Sequence, residues 1–212
     1  MKGVILISGR GSNMRSIVEA GTGLDVRAVI SNRADAAGLE WAHAKGLATQ
    51  VVDHKQYASR EQFDDALAKV IDVHQPDVIL LAGFMRIFGV SFIGRYARRI
   101  VNIHPSLLPA FPGLHTHRQA LAAGVKVHGA TVHFVTAALD NGPVIIQGVV
   151  PVMAGDTEEG LAARVLEVEH RIYPQAVRWL VEGRIEFVAG DVVQVRGTGV
   201  SADTMISPRN IE

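Results

Sequence analysis

Three polar residues have the types and spacing needed for chemistry at a carbonyl group. Asn102 and His104 lie two residues apart in an apolar run, and an extended chain places such residues on the same side. An amide and an imidazole together can stabilise a carbonyl oxygen as it becomes an oxyanion and can move a proton beside it. Asp140 is the candidate partner of His104, because a nearby carboxylate favours the protonated imidazole and orients the ring. On these residues alone, a hydrogen-bonded strand end and a plain Asp-Asn-Gly turn remain as alternatives.

A glycine-containing turn, Gly9–Asn13, follows the first apolar run and leads into a helix. Glycine lets the main chain approach an anion closely, and free N–H groups at a helix start point toward it. The turn therefore indicates phosphate binding, and a tight turn in which Ser12 caps the helix is the alternative. It is not a dinucleotide fingerprint, because Met14 stands where the third glycine belongs, and it lacks the Lys-Ser/Thr ending of a nucleoside-triphosphate loop.

Histidines are frequent in the second half of the chain and raise the question of a metal site. The spacing of His115, His117, His128 and His133 matches no zinc pattern, and the chain has no cysteine and no His-Glu-x-x-His sequence. His128 and His133 fall on opposite faces of one predicted strand, so they cannot easily serve one site. His117 is expected near the start of a helix that ends at about Ala123. We therefore expect no metal.

Short apolar runs alternate with amphipathic segments, which is typical of strands alternating with helices. The strands predicted for the first half are Val4–Ile7, Val26–Ile30, Thr49–Val52, Val78–Leu81 and Ile100–Ile103. The second half predicts antiparallel strands at His128–Phe134 and Val144–Val150, a long helix from about Asp156, and a hairpin over Phe187–Val195. We predict an α/β fold with a doubly wound, mostly parallel Rossmann-like sheet, helices on both faces and an antiparallel C-terminal portion.

Composition and charge exclude several classes of protein. A chain of 212 residues, 48% of them hydrophobic, can fill the core of one domain. Lys and Arg number 21, as do Asp and Glu, so no overall charge attracts nucleic acid or an anionic membrane. The lack of cysteine suits a reducing cytosol, and the first apolar run is too short for a signal peptide. We expect a cytoplasmic protein with one domain, 1–212, including a variable C-terminal tail, 184–212.

The predicted sheet brings separate polar segments to one edge. In open parallel sheets, ligands bind beyond the carboxyl ends of the strands. That rule collects Ser8–Asn13, Asn32, Gly83–Phe88 and Asn102–His104 along a single edge. A shared ligand site at this edge is therefore the main functional expectation.

Five motifs carry a resemblance to a known family. They are Ile7–Asn13, Leu81–Ile87, Asn102–Pro109, Pro112–His117 and Leu139–Pro143. Together they resemble the folate-dependent formyltransferases, and most closely the phosphoribosylglycinamide formyltransferases. The Asn-x-His-Pro-Ser sequence with a downstream Asp is shared by formyltransferases generally, whereas the Gly-Ser-Asn loop and the Gly-Leu-His-Thr-His segment are more specific. The resemblance extends from Met1 to about Gly183.

The resemblance implies an enzyme that transfers the formyl group of 10-formyltetrahydrofolate to the amine of 5-phosphoribosylglycinamide in purine biosynthesis. The catalytic residues it implies are Asn102, His104 and Asp140. The nucleotide-binding residues it implies are Gly11, Ser12, Asn13 and Glu169, of which Glu169 would receive the amine, although a lone Glu on a helix is usually exposed. The folate-binding residues it implies are Arg60, Met85, Arg86, Ile87, Phe88, Asn102, Thr136 and Asp140. Phe88 departs from the aliphatic residue that is common in relatives.

The expected partners are small-molecule substrates, with no nucleic acid and no membrane, and the protein is expected to be a monomer or a homodimer. One alternative is a formyltransferase for methionyl-tRNA or an amino sugar, although a transfer-RNA enzyme would be expected to carry an extra basic domain. A formyltetrahydrofolate hydrolase, whose relatives have an additional regulatory domain, is another. A non-enzymatic nucleotide- or folate-binding regulator is the third. The sequence leaves open whether Arg99 or His133 contacts substrate.

Overall fold

A computed structural model describes residues 1–188 and 190–199 of the chain. Its first half contains β1 Lys2–Ile7, α1 Ser12–Glu19, β2 Asp25–Ser31, α2 Ala37–Ala44, β3 Thr49–Val51, a 3-10 turn His54–Gln56, α3 Arg60–Val73, β4 Val78–Leu81, α4 Val90–Arg95 and β5 Ile100–His104. Its second half contains α5 Thr116–Ala122, β6 Val127–Phe134, β7 Val144–Pro151, α6 Glu158–Val181, β8 Ile185–Phe187 and β9 Val193–Val195.

Seven strands form the central sheet in the order β3-β2-β1-β4-β5-β6-β7. The pairs from β3 to β5 are parallel, whereas β6 is antiparallel to both β5 and β7. Strands β8 and β9 form a separate antiparallel hairpin. The predicted doubly wound α/β fold with an antiparallel C-terminal portion is therefore confirmed.

Alternation along β1 explains why both faces of the sheet are covered. Ile5 and Ile7 belong to a core shared with α1, α2 and α6, whereas Val4 and Leu6 belong to a second core shared with α3 and α4. All four side chains are fully buried. Successive side chains of a strand point to opposite faces, so an uninterrupted apolar run requires a helical layer on each side.

Local sequence signals set the ends of several helices. The Ser59 side chain accepts a hydrogen bond from the Gln62 N–H, and Gln62 Oε1 accepts one from Ala58, which gives α3 a capped start close to the capping box. Gly46 has a φ of 75° just after α2, as predicted from its position. Thr157 caps α6 by accepting from the Gly160 N–H.

The C-terminal hairpin packs on the sheet layer rather than standing apart. The Phe187 ring lies 4.8 Å from the Phe134 ring, and Arg184 Nε donates to the Arg196 carbonyl at 2.8 Å. Residues 200–212 of the predicted tail lie outside the described residues. None of the helices in the described part of the chain combines the length and the apolarity that a membrane crossing needs.

Candidate active site

A cavity of about 610 Å³ opens beyond the carboxyl ends of β4 and β5. Its lining includes all three predicted catalytic residues, Asn102, His104 and Asp140. It also includes two of the predicted nucleotide-binding residues, Asn13 and Glu169, which come from opposite ends of the chain. The parallel order of β1, β4 and β5 produces this convergence, because their carboxyl ends meet at one edge.

His104 lies between two hydrogen-bond acceptors. Its Nε2 is 3.0 Å from the carbonyl oxygen of Phe111 and its Nδ1 is 3.5 Å from Asp140 Oδ2. A carbonyl can only accept, so Nε2 carries a proton and donates it to Phe111, while Nδ1 faces the carboxylate of Asp140. Because 3.5 Å exceeds an ordinary hydrogen bond, Nδ1 of His104 remains open to a third group.

The two residues whose oxygens face the His104 ring, Phe111 and Asp140, both have left-handed backbone conformations. Phe111 has a φ of 54° and Asp140 a φ of 48°, a region that non-glycine residues seldom occupy. Asp140 Oδ2 also accepts a hydrogen bond from the Gly113 N–H at 2.8 Å, which ties the loop after Pro109 to the turn after β6. Backbone strain of this kind persists where surrounding contacts enforce it, and it is frequent at functional sites.

Asn102 is oriented by His133. Its Nδ2 is 3.2 Å from His133 Nε2, and His133 Nδ1 is 3.0 Å from the carbonyl oxygen of Phe134. Nδ1 must donate to that carbonyl, so in the neutral ring Nε2 accepts from Asn102. Burial lowers the pKa of His133, which favours this neutral form. One N–H of the Asn102 amide is thereby fixed, and the other remains available in the cavity.

Glu169 is buried, contrary to the expectation for an isolated Glu on a helix. It is 7% exposed, and its Oε2 accepts a hydrogen bond from Asn13 Nδ2 at 2.6 Å. Burial raises the pKa of Glu169, and the hydrogen bond from Asn13 opposes that effect. Asn13 Oδ1 is buried without a partner among the described residues. An acid and an amide with unused hydrogen-bonding capacity therefore face the cavity.

The turn between β1 and α1 has the shape expected of an anion-binding loop. Gly11 occupies the position before α1 with a φ of 69°, and Gly38 donates its N–H to the Gly9 carbonyl at 3.0 Å. The alternative in which Ser12 caps the helix is wrong, because Ser12 is the first helical residue and no side chain caps α1. The glycine at the cap position leaves the first N–H groups of the helix uncovered. Of the predicted loop residues, the cavity lining includes Asn13 but not Gly11 or Ser12.

The predicted folate residues lie mostly along the other side of the cavity. Those that contribute to the lining are Met85, Arg86, Ile87, Phe88, Asn102, Thr136 and Asp140. Phe88 is buried and stacks between Phe84 and Phe92, with ring centroids 5.5 and 4.2 Å away. Arg60 is exposed at the start of α3 and is not part of the lining.

Of the histidines considered as metal ligands, His117 and His128 lie together and His133 lies apart from them. The rings of His117 and His128 are 5.3 Å apart and perpendicular, and both ring nitrogens of His128 are buried without a partner among the described residues. His133 lies apart beside Asn102, as the opposite strand faces predicted. Within residues 1–188 and 190–199, no three His, Cys, Asp or Glu side chains are grouped as possible metal ligands.

Two contacts of this site were missed in the sequence. The register of β5 and β6 places Asn102 opposite His133, a pairing that an alternating pattern in either strand alone does not show. The acceptor that Phe111 offers to His104 is a main-chain carbonyl, so its residue type carries no signal. Arg99 is not part of the cavity lining, and its side chain donates to the carbonyls of Pro76 and Arg95.

Comparison with known proteins decides the family. A family model described as formyl transferase matches residues 1–177. The chain belongs to the formyl transferase family. Members of this family use a formyl-folate as co-substrate, and the expectation of a group-transferring enzyme is confirmed.

Individual relatives narrow the family further. Phosphoribosylglycinamide formyltransferase of Escherichia coli K12 is 53% identical over 190 residues, which are 86% of this chain and 88% of that protein. The trifunctional purine biosynthetic protein adenosine-3 of Homo sapiens is 42% identical over 186 residues, but the match covers only 18% of its length. The predicted resemblance to this group of formyl transferases is confirmed.

Solved structures agree with the sequence comparison. Glycinamide ribonucleotide transformylase 1 of Symbiobacterium toebii superposes with a TM-score of 0.88 at 47% identity, covering 92% of this chain and 93% of that one. A formyltetrahydrofolate deformylase of Pseudomonas syringae superposes with a TM-score of 0.83 at 29% identity, and the match covers 65% of that chain. The fold is therefore shared with both the transformylase and the deformylase, but the transformylase is more similar in sequence.

Proposed function

We propose that this protein transfers the formyl group of 10-formyltetrahydrofolate to the amine of 5-phosphoribosylglycinamide, a step of purine biosynthesis. One observation carries the proposal: Asn102, His104 and Asp140 line the same cavity as the buried pair Asn13–Glu169. The first group suits a carbonyl that becomes an oxyanion. The second suits a primary amine.

Glu169 and the loop before α1 would hold the nucleotide. The substrate amine can bind Glu169 Oε2 in place of Asn13 Nδ2, and Asn13 Oδ1 is a further acceptor for its N–H groups. The uncovered N–H groups of Gly11, Ser12 and Asn13 would bind the phosphate at the start of α1. The amine is thereby directed toward Asn102 and His104.

The opposite wall would bind the folate. The predicted residues are Arg60, Met85, Arg86, Ile87, Phe88, Asn102, Thr136 and Asp140. Exposed Met85 and Ile87 offer apolar surface to a flat ring system, and Arg86 offers a charge for the carboxylates of the folate. Arg60 lies farther out on α3, where it would contact only the end of a long co-substrate.

The reaction proceeds through addition and elimination. The amine lone pair of the nucleotide attacks the formyl carbon, and the carbonyl π electrons move to the oxygen. The free N–H of Asn102 and the Nδ1 proton of His104 donate to that oxyanion. The bond from the carbon to folate N10 then breaks, and N10 takes up the proton lost by the attacking nitrogen.

Asp140 completes the site by favouring charged His104 and by holding a water between the two nitrogens. Such a water relays the proton, so no covalent intermediate with the enzyme forms. Each positioned donor to the oxyanion typically contributes about 3–4 kcal/mol of transition-state stabilisation. Because two protein donors supply this stabilisation, we propose that catalysis needs no metal ion.

The decisive experiment mixes purified protein with 10-formyltetrahydrofolate and 5-phosphoribosylglycinamide and follows folate absorbance. Formation of tetrahydrofolate that depends on the nucleotide supports the proposal. Equal turnover with water alone would favour a hydrolase, and turnover with methionyl-tRNA or an amino sugar would favour another formyltransferase. Binding of both ligands without transfer would favour a regulator.

We also propose that residues 1–212 act as one cytoplasmic domain, monomeric or homodimeric, without a nucleic-acid or membrane partner. The packing of Phe187 on Phe134 supports counting the C-terminal hairpin with the domain. Sedimentation of the purified chain with and without substrates would measure its oligomeric state. Retention of full activity after dialysis against a chelator would agree with metal-free catalysis, and its loss would contradict it.

A further inference from the structure

The segment 82–89 connects β4 to α4 without regular secondary structure, yet it forms one wall of the cavity. Phe84 and Phe88 are buried and stacked, while Met85, Arg86 and Ile87 are exposed at the cavity. No described residue accepts a hydrogen bond from the main-chain N–H of Arg86 or Ile87. These N–H groups are available to a ligand whose ring edge carries acceptors. Because the segment has no regular secondary structure of its own, contacts with residues outside it must fix the path of its main chain.

Ser8 fixes the beginning of the segment. Its hydroxyl accepts a hydrogen bond from the Met85 N–H at 2.8 Å and donates one to Asn32 Oδ1 at 2.6 Å. Ser8 is 8% exposed and Asn32 is 3% exposed, so water does not readily replace either contact. Because the Ser8 hydroxyl donates its single proton to Asn32, its oxygen lone pairs remain to accept the hydrogen bond from the Met85 N–H.

Asn32 is itself held at the end of β2. The Nδ1 atom of His54 lies 2.9 Å from the Asn32 carbonyl oxygen and 3.1 Å from Asn32 Nδ2, so its ring contacts both the main chain and the side-chain amide of Asn32. The contacts from His54 through Asn32 and Ser8 to Met85 thus run across the carboxyl edge of β2, β1 and β4. This explains the position of Asn32 at the ligand edge, although it does not line the cavity.

Asp64 fixes the end of the segment. This residue of α3 is 5% exposed, and its Oδ2 accepts a hydrogen bond from the Gly89 N–H at 2.7 Å. A methyl group added at Gly89 would lie 3.3 Å from the same oxygen, so the two elements are in close contact. Asp64 Oδ1 is buried without a partner among the described residues. Burial of a carboxyl oxygen without a hydrogen-bond partner destabilises the fold, and the hydrogen bond from the Gly89 N–H to Oδ2 offsets part of that cost.

We propose that Ser8 and Asp64 are positioning residues that set the path of segment 82–89 for the folate co-substrate. The inference rests on the proposed function, since it assigns this wall to the folate. Neither side chain lines the cavity, so each acts through Met85 or Gly89 rather than on the ligand. A main-chain shift of about 1 Å is enough to weaken positioned contacts severely.

The test compares Ser8→Ala and Asp64→Ala with Asp64→Asn and Ser31→Ala. The Asp64→Asn variant keeps an amide oxygen that can accept from Gly89. Ser31 is a fully buried serine at the same sheet edge, whose hydroxyl accepts from the Arg33 N–H and makes no hydrogen bond to the segment. It therefore controls for the general cost of deleting a buried hydroxyl.

We expect Ser8→Ala and Asp64→Ala to raise the KM for 10-formyltetrahydrofolate and the Kd for tetrahydrofolate by about five- to tenfold, the size of one lost positioned hydrogen bond. The KM for 5-phosphoribosylglycinamide should change less than about twofold, because the proposed nucleotide contacts lie on α6 and on Gly11–Asn13, and the Ser8 hydroxyl bonds to neither. Asp64→Asn and Ser31→Ala should bind folate like the unmodified chain. Amide exchange at Met85 and Gly89 should accelerate in the two alanine variants.

Equal losses for folate and nucleotide, or a folate loss in Ser31→Ala of the same size, would overturn the positioning role. So would unchanged folate affinity in both alanine variants. The calorimetric Kd for tetrahydrofolate separates this inference from the proposed function. An unmodified chain that binds tetrahydrofolate but transfers no formyl group would sink the function alone, whereas one that binds no folate would overturn both.

Discussion

Asn102 on β5 stands directly opposite His133 on β6, and its Nδ2 lies 3.2 Å from His133 Nε2. Because His133 Nδ1 donates to the Phe134 carbonyl, its Nε2 accepts from the Asn102 amide. This contact determines which way the amide of Asn102 faces the cavity. A histidine that the sequence left without a role therefore orients one of the two proposed oxyanion donors.

Replacement of His133 by Phe should lower kcat by about tenfold or more, because a proposed oxyanion donor loses its orientation. A double-mutant cycle measures the coupling. In an Asn102→Ala background the same replacement should cost little further, since the donor is already gone. Additive losses in the double variant would mean that His133 acts independently of Asn102.

The acid side of the pH profile should also depend on His133. Burial lowers the pKa of His133, so the ring is neutral at pH 7 and accepts from Asn102. Protonation at acid pH places a donor against the Asn102 amide, and kcat should fall there. The measurement is kcat at saturating substrates from pH 7 downward. An acid limb of equal depth in His133→Phe would assign the limb to another group.

The variants His104→Ala and Asp140→Asn should each lower turnover by at least about a hundredfold while the fold remains intact. In the proposed mechanism, His104 donates to the oxyanion, and Asp140 would orient His104 and hold the water that relays the proton. Steady-state kinetics with thermal unfolding as the control makes the measurement. Near-normal turnover in either folded variant would reject the assignment of that residue.

Stability toward acid should depend on His128. Burial lowers the pKa of His128 from 6.5 to about 4, and the nearby main chain of Pro105 only partly opposes this effect. The unfolded chain therefore binds a proton that the folded chain excludes, so the free energy of unfolding decreases as the pH falls from 6.5 toward about 4. His128→Phe should flatten this decrease, measured by denaturant unfolding at each pH. The exposed His43→Gln serves as the control, and an equal slope in both variants would contradict the role of His128.

A side chain at Gly38 should destabilise the fold, because α2 approaches the loop before α1 at this residue. A methyl group there would lie 2.6 Å from Ile7 Cδ1 and 3.1 Å from the Gly9 carbonyl oxygen. Gly38→Ala should destabilise the fold by about 1–3 kcal/mol and raise the KM for the nucleotide. The matched control is Gly94→Ala in α4, which meets nothing within 4 Å and should gain up to about 1 kcal/mol. Similar effects of the two changes on unfolding would show that the approach at Gly38 is unimportant.

The fold was readable from the sequence because its signals are local. The apolar run at Val78–Leu81 became β4 without change of bounds, and the cap at Ser59 marked the start of α3. Two residues of one strand, such as Asn102 and His104, share a side by strand geometry alone. Asp140 was a candidate partner of His104 by residue type alone, with a plain turn as the alternative, and the family resemblance implied its catalytic role.

What the sequence hid depends on register and on the main chain. Asn102 and His133 meet only because β5 and β6 pair in one register. A lone Glu on a helix is usually exposed, yet Glu169 lies four residues from both Val165 and Tyr173, which are fully buried. That spacing places the acid on the buried stripe of α6, and it was the available signal for its burial.

The hydrogen bond from Asn13 to Glu169 joins α1 to α6 across 156 positions of the sequence. During synthesis on the ribosome, the loop Gly9–Asn13 therefore emerges long before Glu169, the proposed acceptor of the amine, has been added to the chain. The proposed amine-binding pair Asn13–Glu169 can form only when α6 packs onto α1. Competence for the reaction and completion of folding should consequently arrive together, and no shortened N-terminal intermediate should turn over substrate.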